Sequence, residues 1–197
     1  MQLQIPFYKQ TSNLNCGPVA LKMIFDSFGI AVDLTEVEKI VGIQEGKIVF
    51  TSELALAAAK LGFHVQFYSE HLTFQNHNLP FYERLSVMTS DHSTKILQEA
   101  QKVGVELYER TLSLEQILEK ISPNCVPLIL LDWSKVVHGP NYIGHFVPIV
   151  GYDKESVYVH NHGTVDPTAY LKLPKEIFDQ ARIAKGTDQD ILFISKN

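Results

Sequence analysis

The chain has 197 residues, 45% of them hydrophobic and 20% charged, with a formal net charge of −5, which is ordinary globular composition with length enough for one full core. The acidic balance and the lack of a basic stripe argue against a nucleic-acid partner, and no apolar run approaches the roughly 20 residues a membrane helix needs. Residues 1–9, MQLQIPFYK, show neither the basic n-region nor the apolar h-region of a signal peptide, and two cysteines make no disulfide framework, so the expectation is a single domain over residues 1–197 in a reducing, cytoplasmic setting where Cys16 stays a thiol.

In chain order, Leu3, Ile5 and Phe7 alternate with polar residues and predict a short strand, with Pro6 hinting at a sheet edge. Asn15 is placed to cap a helix starting near Cys16, with Pro18 in its first turn. Ala20, Leu21, Ile24, Phe25 and Phe28 give that helix its 3.6 period, and Gly29 ends it. Leu34 to Gly42 reads as a second helix and Thr51 to Gly62 as a third; His64–Tyr68 follows as a strand. His71 to Pro80 is polar and predicts a loop, Thr94–Val103 a helix, and Val105–Arg110 a strand. Ser113-Leu114-Glu115-Gln116 carries a capping box.

Val126–Leu131 is a continuous apolar run, expected as a central strand. Ser134–Tyr142 predicts a loop. Phe146–Val150 and Val157–Val159 form a hairpin across Tyr152-Asp153-Lys154-Glu155. Pro174–Ala184 predicts a helix with proline at its first position, and Ile191–Ile194 a closing strand. Pro148 has no N–H to give a ladder, so its strand should be an edge or carry a bulge. Helices first and antiparallel strands after them define an α+β class.

Cys16 is the candidate nucleophile. A helix start favours a thiolate through the dipole and unpaired N–H groups there, and Gly17 lets a substrate approach the backbone. A free cysteine is more often a small buried apolar residue, and Cys125, ahead of a buried strand, reads that way. His145, opening an apolar strand after a glycine-containing loop, is the candidate base among eight histidines. With the hairpin turn centred on Asp153, Asn161 comes opposite His145 with Cβ atoms roughly 5 Å apart, so an amide can orient the imidazole. Asp166, in an Asp-Pro turn, is a reserve for that role. Gln10, six residues before Cys16, can supply an amide N–H to an oxyanion, together with the Cys16 backbone N–H.

Taken together, Gln10 with Cys16-Gly17-Pro18, then Gly144-His145-Phe146-Val147 leading to Val150-Gly151-Tyr152-Asp153, then Val157-Tyr158-Val159-His160-Asn161, resemble the C39-like branch of the papain-like cysteine peptidases. The separation of 129 positions between Cys16 and His145 fits the order in which histidine and asparagine follow the cysteine by roughly 130–150 residues. The resemblance implies a papain-like fold, with N-terminal helices packed on an antiparallel sheet. It also implies Cys16 as nucleophile, His145 as base, Asn161 as orienting residue, Gln10 as oxyanion donor, a peptide or protein substrate, and no cofactor. The best-known C39 domains carry aspartate in an Asp-Pro pair as the third residue; here it is Asn161 followed by His162. C39 domains that cut double-glycine leaders are usually joined to a transporter, which this sequence does not include.

Three functions are open at this stage. The first is hydrolysis of an amide through a thioester, with acyl transfer to an amine as its variant. The second is a non-catalytic peptide-binding module of the same fold. The third is a metal site built from His160 and His162, which share a strand face, with His138 nearby in sequence.

Overall fold

The computed structural model describes residues 1–196. Helices α1 (Cys16–Ser27), α2 (Leu34–Val41) and α3 (Thr51–Lys60) come first. They are followed by β1 (His64–Ser69), α4 (Pro80–Leu85), α5 (Ser90–Lys102), β2 (Glu106–Glu109), α6 (Leu114–Glu119) and β3 (Cys125–Asp132). The remainder is α7 (Trp133–Val137), β4 (Gly144–Tyr152), β5 (Ser156–Asn161), β6 (Thr168–Pro174), α8 (Lys175–Arg182) and β7 (Ile191–Ser195).

The strands form one sheet in the order β2-β1-β7-β3-β4-β5-β6, antiparallel apart from the β1–β2 pair at one edge. This is the α+β class that the element order predicts. Strand β3 is the centre: every residue from Val126 to Asp132 is buried, so both its faces are covered. Helix α1 packs against β4, α3 against β1 and β7, and α8 against β3, β5 and β6. Their apolar faces and the sheet make one continuous core that includes Cys16.

The capping box at Ser113 forms as the sequence requires, with Ser113 Oγ accepting from Gln116 N–H and Gln116 Oε1 from Ser113 N–H. Gly42 closes α2 in the left-handed region, at φ 82°.

Several expectations need correction. Residues 1–10 make a single bridge, Gln2 to Gly151, and backbone bonds such as Leu3 N–H to Val150 O at 2.8 Å, so they strap β4 without forming a strand of their own. Asn15 does not cap α1 with its side chain; Oδ1 accepts from Ser12 N–H and Nδ2 donates to Thr11 and Glu38. Helix α5 starts four residues earlier than expected, because Thr89 Oγ1 accepts from His92 N–H. Short helices α4 and α7 lie at the end of, or inside, segments expected as loop, and β6 was not anticipated. Pro174 is the residue before α8, not its first. Pro148 sits between β3 and β5, so β4 is no edge, but the expected bulge is present between Ile149 and Gly151.

Candidate active site

Helix α1 brings Cys16 to the N-terminal end of β4. Cys16 is buried, at 8% exposure for the residue, and its sulfur lies against the backbone N–H groups of Phe146, Gly17 and Cys16 itself. Burial pushes the Cys16 thiol up, and those three amides only partly oppose it. The thiolate expected from the helix start is therefore not the resting form. Gly17 has a packing role: a Cβ there would lie 2.8 and 2.9 Å from the Leu54 methyls and 3.1 Å from Val49. The missing side chain lets α1 seat on α3, which differs from the expected substrate approach.

His145 is the second residue of β4 and is buried. The register differs from the simple hairpin estimate. Ile149 faces Val159, so His145 comes level with Gly163, two residues beyond Asn161. A shift of two keeps the strand face, so the Asn161 side chain still lies beside the His145 ring from the diagonal and favours its charged form, while His145 Nε2 is buried without a hydrogen-bond partner. A Cβ built on Gly163 would lie 3.2 Å from Asn161 Oδ1 and 3.9 Å from His145 Nε2.

The orientation of the Asn161 amide follows from its other partners. Nδ2 donates to Asp166 O at 2.9 Å, and Oδ1 accepts from Gly163 N–H at 3.3 Å. That leaves the oxygen, an acceptor, on the side of the imidazole. Asp166, the reserve candidate, takes part through its backbone carbonyl only. Trp133 packs edge-on to the His145 ring at 5.0 Å. Burial first, and the neighbouring His162 second, lower His145 to about 3, against the raising bond from Asn161. Both shifts favour the neutral forms, a thiol and an uncharged imidazole.

His162 and His160 are committed to the backbone. His162 Nε2 lies 2.9 Å from Cys16 O and Nδ1 3.1 Å from His160 O, with its ring 5.0 Å from that of His145. His160 Nδ1 accepts from Tyr170 N–H and Nε2 lies 3.0 Å from Ile5 O, which fixes its proton on Nε2. No group of three or more His, Cys, Asp or Glu side chains able to hold a metal occurs among the described residues. The metal-site expectation is thereby corrected, since all four nitrogens of the pair already face main-chain partners.

Gln10 is buried, and its backbone N–H donates to His162 O at 2.9 Å. Its Nε2 donates one proton to Ser12 O at 2.7 Å, which leaves a second amide proton, while Oε1 is buried without a partner. The N-terminal strap thus ties Gln10 to the strand end that carries Asn161.

A family model described as a Peptidase_C39-like family matches residues 5–184. The chain belongs to the C39-like peptidase family. Solved structures agree on the fold. A double-glycine-motif protease from an AMS/PCAT transporter, in complex with its leader peptide, has a TM-score of 0.58 at 15% identity, covering 99% of this chain and 94% of that one. The peptidase domain of Streptococcus ComA, a bifunctional ABC transporter, gives 0.56 at 10% identity, with 98% and 100% covered. A protein of Bacillus anthracis described as a C39-like peptidase gives 0.53 at 19%, with 98% and 96% covered. Among curated proteins, Guanylyl cyclase 1 of Arabidopsis thaliana is 24% identical over 212 positions, covering 98% of this chain and 76% of its own length.

Beside Cys16, this C39-like protein has a cavity of about 230 Å³, bounded by α3, the 71–75 loop, α4 and the row Leu130, Phe146 and Asp190. Sequence reading missed Trp133, Asp190 and the role of His162. The first two sat in segments without a motif. His162 was visible, but its pairing with His160 pointed to a metal instead of to the Cys16 carbonyl.

Proposed function

We propose that the protein is a thiol hydrolase of peptide or related amide bonds, its active centre contained in one domain over residues 1–197. Cys16 transfers its proton to His145 and attacks the carbonyl carbon, breaking the C=O π bond and placing the electron pair on oxygen. The Cys16 backbone N–H and the free Gln10 amide proton are the donors for that oxyanion. The imidazolium returns its proton to the leaving amine as the C–N bond breaks and a thioester remains. Water, deprotonated by His145, then releases the acid and restores the thiol.

The observation that carries this reading is the Asn161 amide. Pinned by Asp166 O and Gly163 N–H, it turns its oxygen to the side of His145, whose buried Nε2 has no hydrogen-bond partner, and so is placed for the orienting role that a cysteine–histidine pair requires. A peptide substrate gains support from the leader peptide in the double-glycine protease complex. Acyl transfer uses the same steps, with an amine replacing water. A reducing, cytoplasmic compartment suits a working thiol. No helix among the described residues is long and apolar enough to cross a membrane.

A peptide-library digest followed by mass spectrometry tests the proposal. Cys16→Ala and His145→Ala should each abolish cleavage while leaving the circular dichroism spectrum intact. Labelling of Cys16 by an acyloxymethyl ketone should fall at least about tenfold in His145→Ala, as general-base assistance is worth more than that. Wild-type cleavage in either variant rejects the mechanism.

A further inference from the structure

The cavity beside Cys16 is walled mainly by apolar side chains, among them the rings of Phe50, Phe67, Phe74, Phe81, Tyr82 and Phe146. Its volume of about 230 Å³ far exceeds the roughly 10–15 Å³ that seats one water. Asn13, His71 and Gln75 at its rim are exposed, whereas Thr51, Ser52 and Phe67 are buried. Into this apolar lining the chain delivers the carboxylate of Asp190, the residue before β7. Thr51 Oγ1 donates to Asp190 Oδ2. The other oxygen, Oδ1, is buried without a hydrogen-bond partner; the Ser69 hydroxyl also stands near this carboxylate and favours its charged form, but donates to the His71 and Asp188 carbonyls. Asp188, the other acid of the lining, is already engaged by His77 Nε2 at 2.7 Å.

The sheet sets the distance to the nucleophile. Ile191 pairs with Ile129 across β7–β3, and Leu130 with Phe146 across β3–β4. Asp190, Leu130 and Phe146 therefore stand in one row across three strands, about 10 Å from end to end at two strand spacings. The backbone N–H of Phe146 touches the Cys16 sulfur. A substrate side chain entering beside Cys16 and running along this row meets Asp190.

We propose that this cavity is a subsite for a lysine side chain of the peptide substrate, with the apolar stem packed on the aromatic walls and the ammonium group donating to Asp190 Oδ1. Aromatic faces attract a cation and an apolar wall suits the methylene stem. An ammonium's compact set of donors matches one unpartnered oxygen, while a guanidinium brings five donors in a fixed fork and would leave most unpaired. Burial holds the Asp190 carboxyl up at about 7, and a bound cation supplies the charge that ionises it. The proposal rests on the peptidase reading for the reaction, but not for binding.

The test separates the two. Immobilised Cys16→Ala protein is offered N-acetylated hexapeptides in which each position holds lysine, norleucine or arginine. Lysine should be enriched over norleucine about tenfold at one position, the size of one charge-assisted hydrogen bond. Asp190→Asn added to Cys16→Ala should bring the ratio to about one. In Cys16→Ala alone, n-butylammonium should displace the lysine peptide and n-butanol should not, a measurement independent of how well the double variant folds. Equal retention of lysine and norleucine, enrichment that Asp190→Asn leaves intact, or equal competition by the alcohol each overturns the subsite. Wild-type cleavage of the same library tests the peptidase reading alone: lysine enrichment without cleavage removes the hydrolase, and cleavage without enrichment removes the subsite.

Discussion

Asn161 and Asp190 carry the sharpest consequences at the scale of single residues. In the proposed mechanism Asn161 orients His145 without adding charge, so Asn161→Asp should raise His145 from about 3, because a carboxylate favours the imidazolium. The base must be neutral to take the thiol proton, so the acidic limb of the kcat/KM profile should move to higher pH. The same change turns the donor to Asp166 O into an acceptor, which should cost about 1–3 kcal/mol of stability in urea melts. A second prediction concerns stability against pH. His145 sits below its ordinary value of about 6.5, so its contribution is complete above that pH and is lost as pH falls toward about 3. Asp190 is raised to about 7, so its contribution is complete below the ordinary carboxylate value near 4 and is lost as pH rises toward 7. The two slopes oppose each other between about pH 4 and 6.5. Glu53, also held up at about 7 by burial, adds to the falling slope; Asp190→Asn removes only the Asp190 part, and melting temperatures across that range should then rise more steeply, or fall less, with pH than in the wild type.

At the scale of elements, the seating of α1 on α3 decides where the sulfur stands. Gly17→Ala drives a Cβ to within 2.9 Å of the Leu54 methyls, and Leu54 is wholly buried, so overpacking should cost about 1–3 kcal/mol. Leu54→Val in the same chain should return part of it, and thermal melts of the single and double variants check this. Elements with a strong period or an unbroken apolar run, such as α1, α3, β3 and β4, were legible because burial on one or both faces writes itself into the sequence. Strand β6 was not, since only Leu173 of its seven residues is buried and an edge strand leaves little alternation to read. Helices α4 and α7, at six and five residues, are too short to show a helical period. Cys16, His145, Asn161 and Gln10 were legible as residue types in order. The diagonal reach from Asn161 to His145 was not, because Tyr152 pairs with Val157, which centres the turn beyond Asp153, and the bulge between Ile149 and Gly151 takes back only one residue of that difference.

At the scale of the molecule, the site is a junction of chain segments far apart in sequence, and His160 is its hidden fastener. Its Nδ1 accepts from Tyr170 N–H on β6 and its Nε2–H donates to Ile5 O on the N-terminal strap. The same strap continues to Gln10, whose N–H holds His162 O, and His162 in turn faces the Cys16 carbonyl. Removing the ring by His160→Leu leaves the Tyr170 N–H unpaired, at about 1–3 kcal/mol, and leaves Ile5 O with only the Tyr170 hydroxyl. The melting temperature should therefore fall, and cleavage should fall further than the loss of folded protein explains, because the strap that carries Gln10 loses its hold at Ile5. Chelation of the wild-type protein with EDTA should change neither quantity, since neither nitrogen of His160 is free to bind a metal. A melting temperature lowered by EDTA, or full activity in folded His160→Leu, would show that the strap does not hold the site in this way.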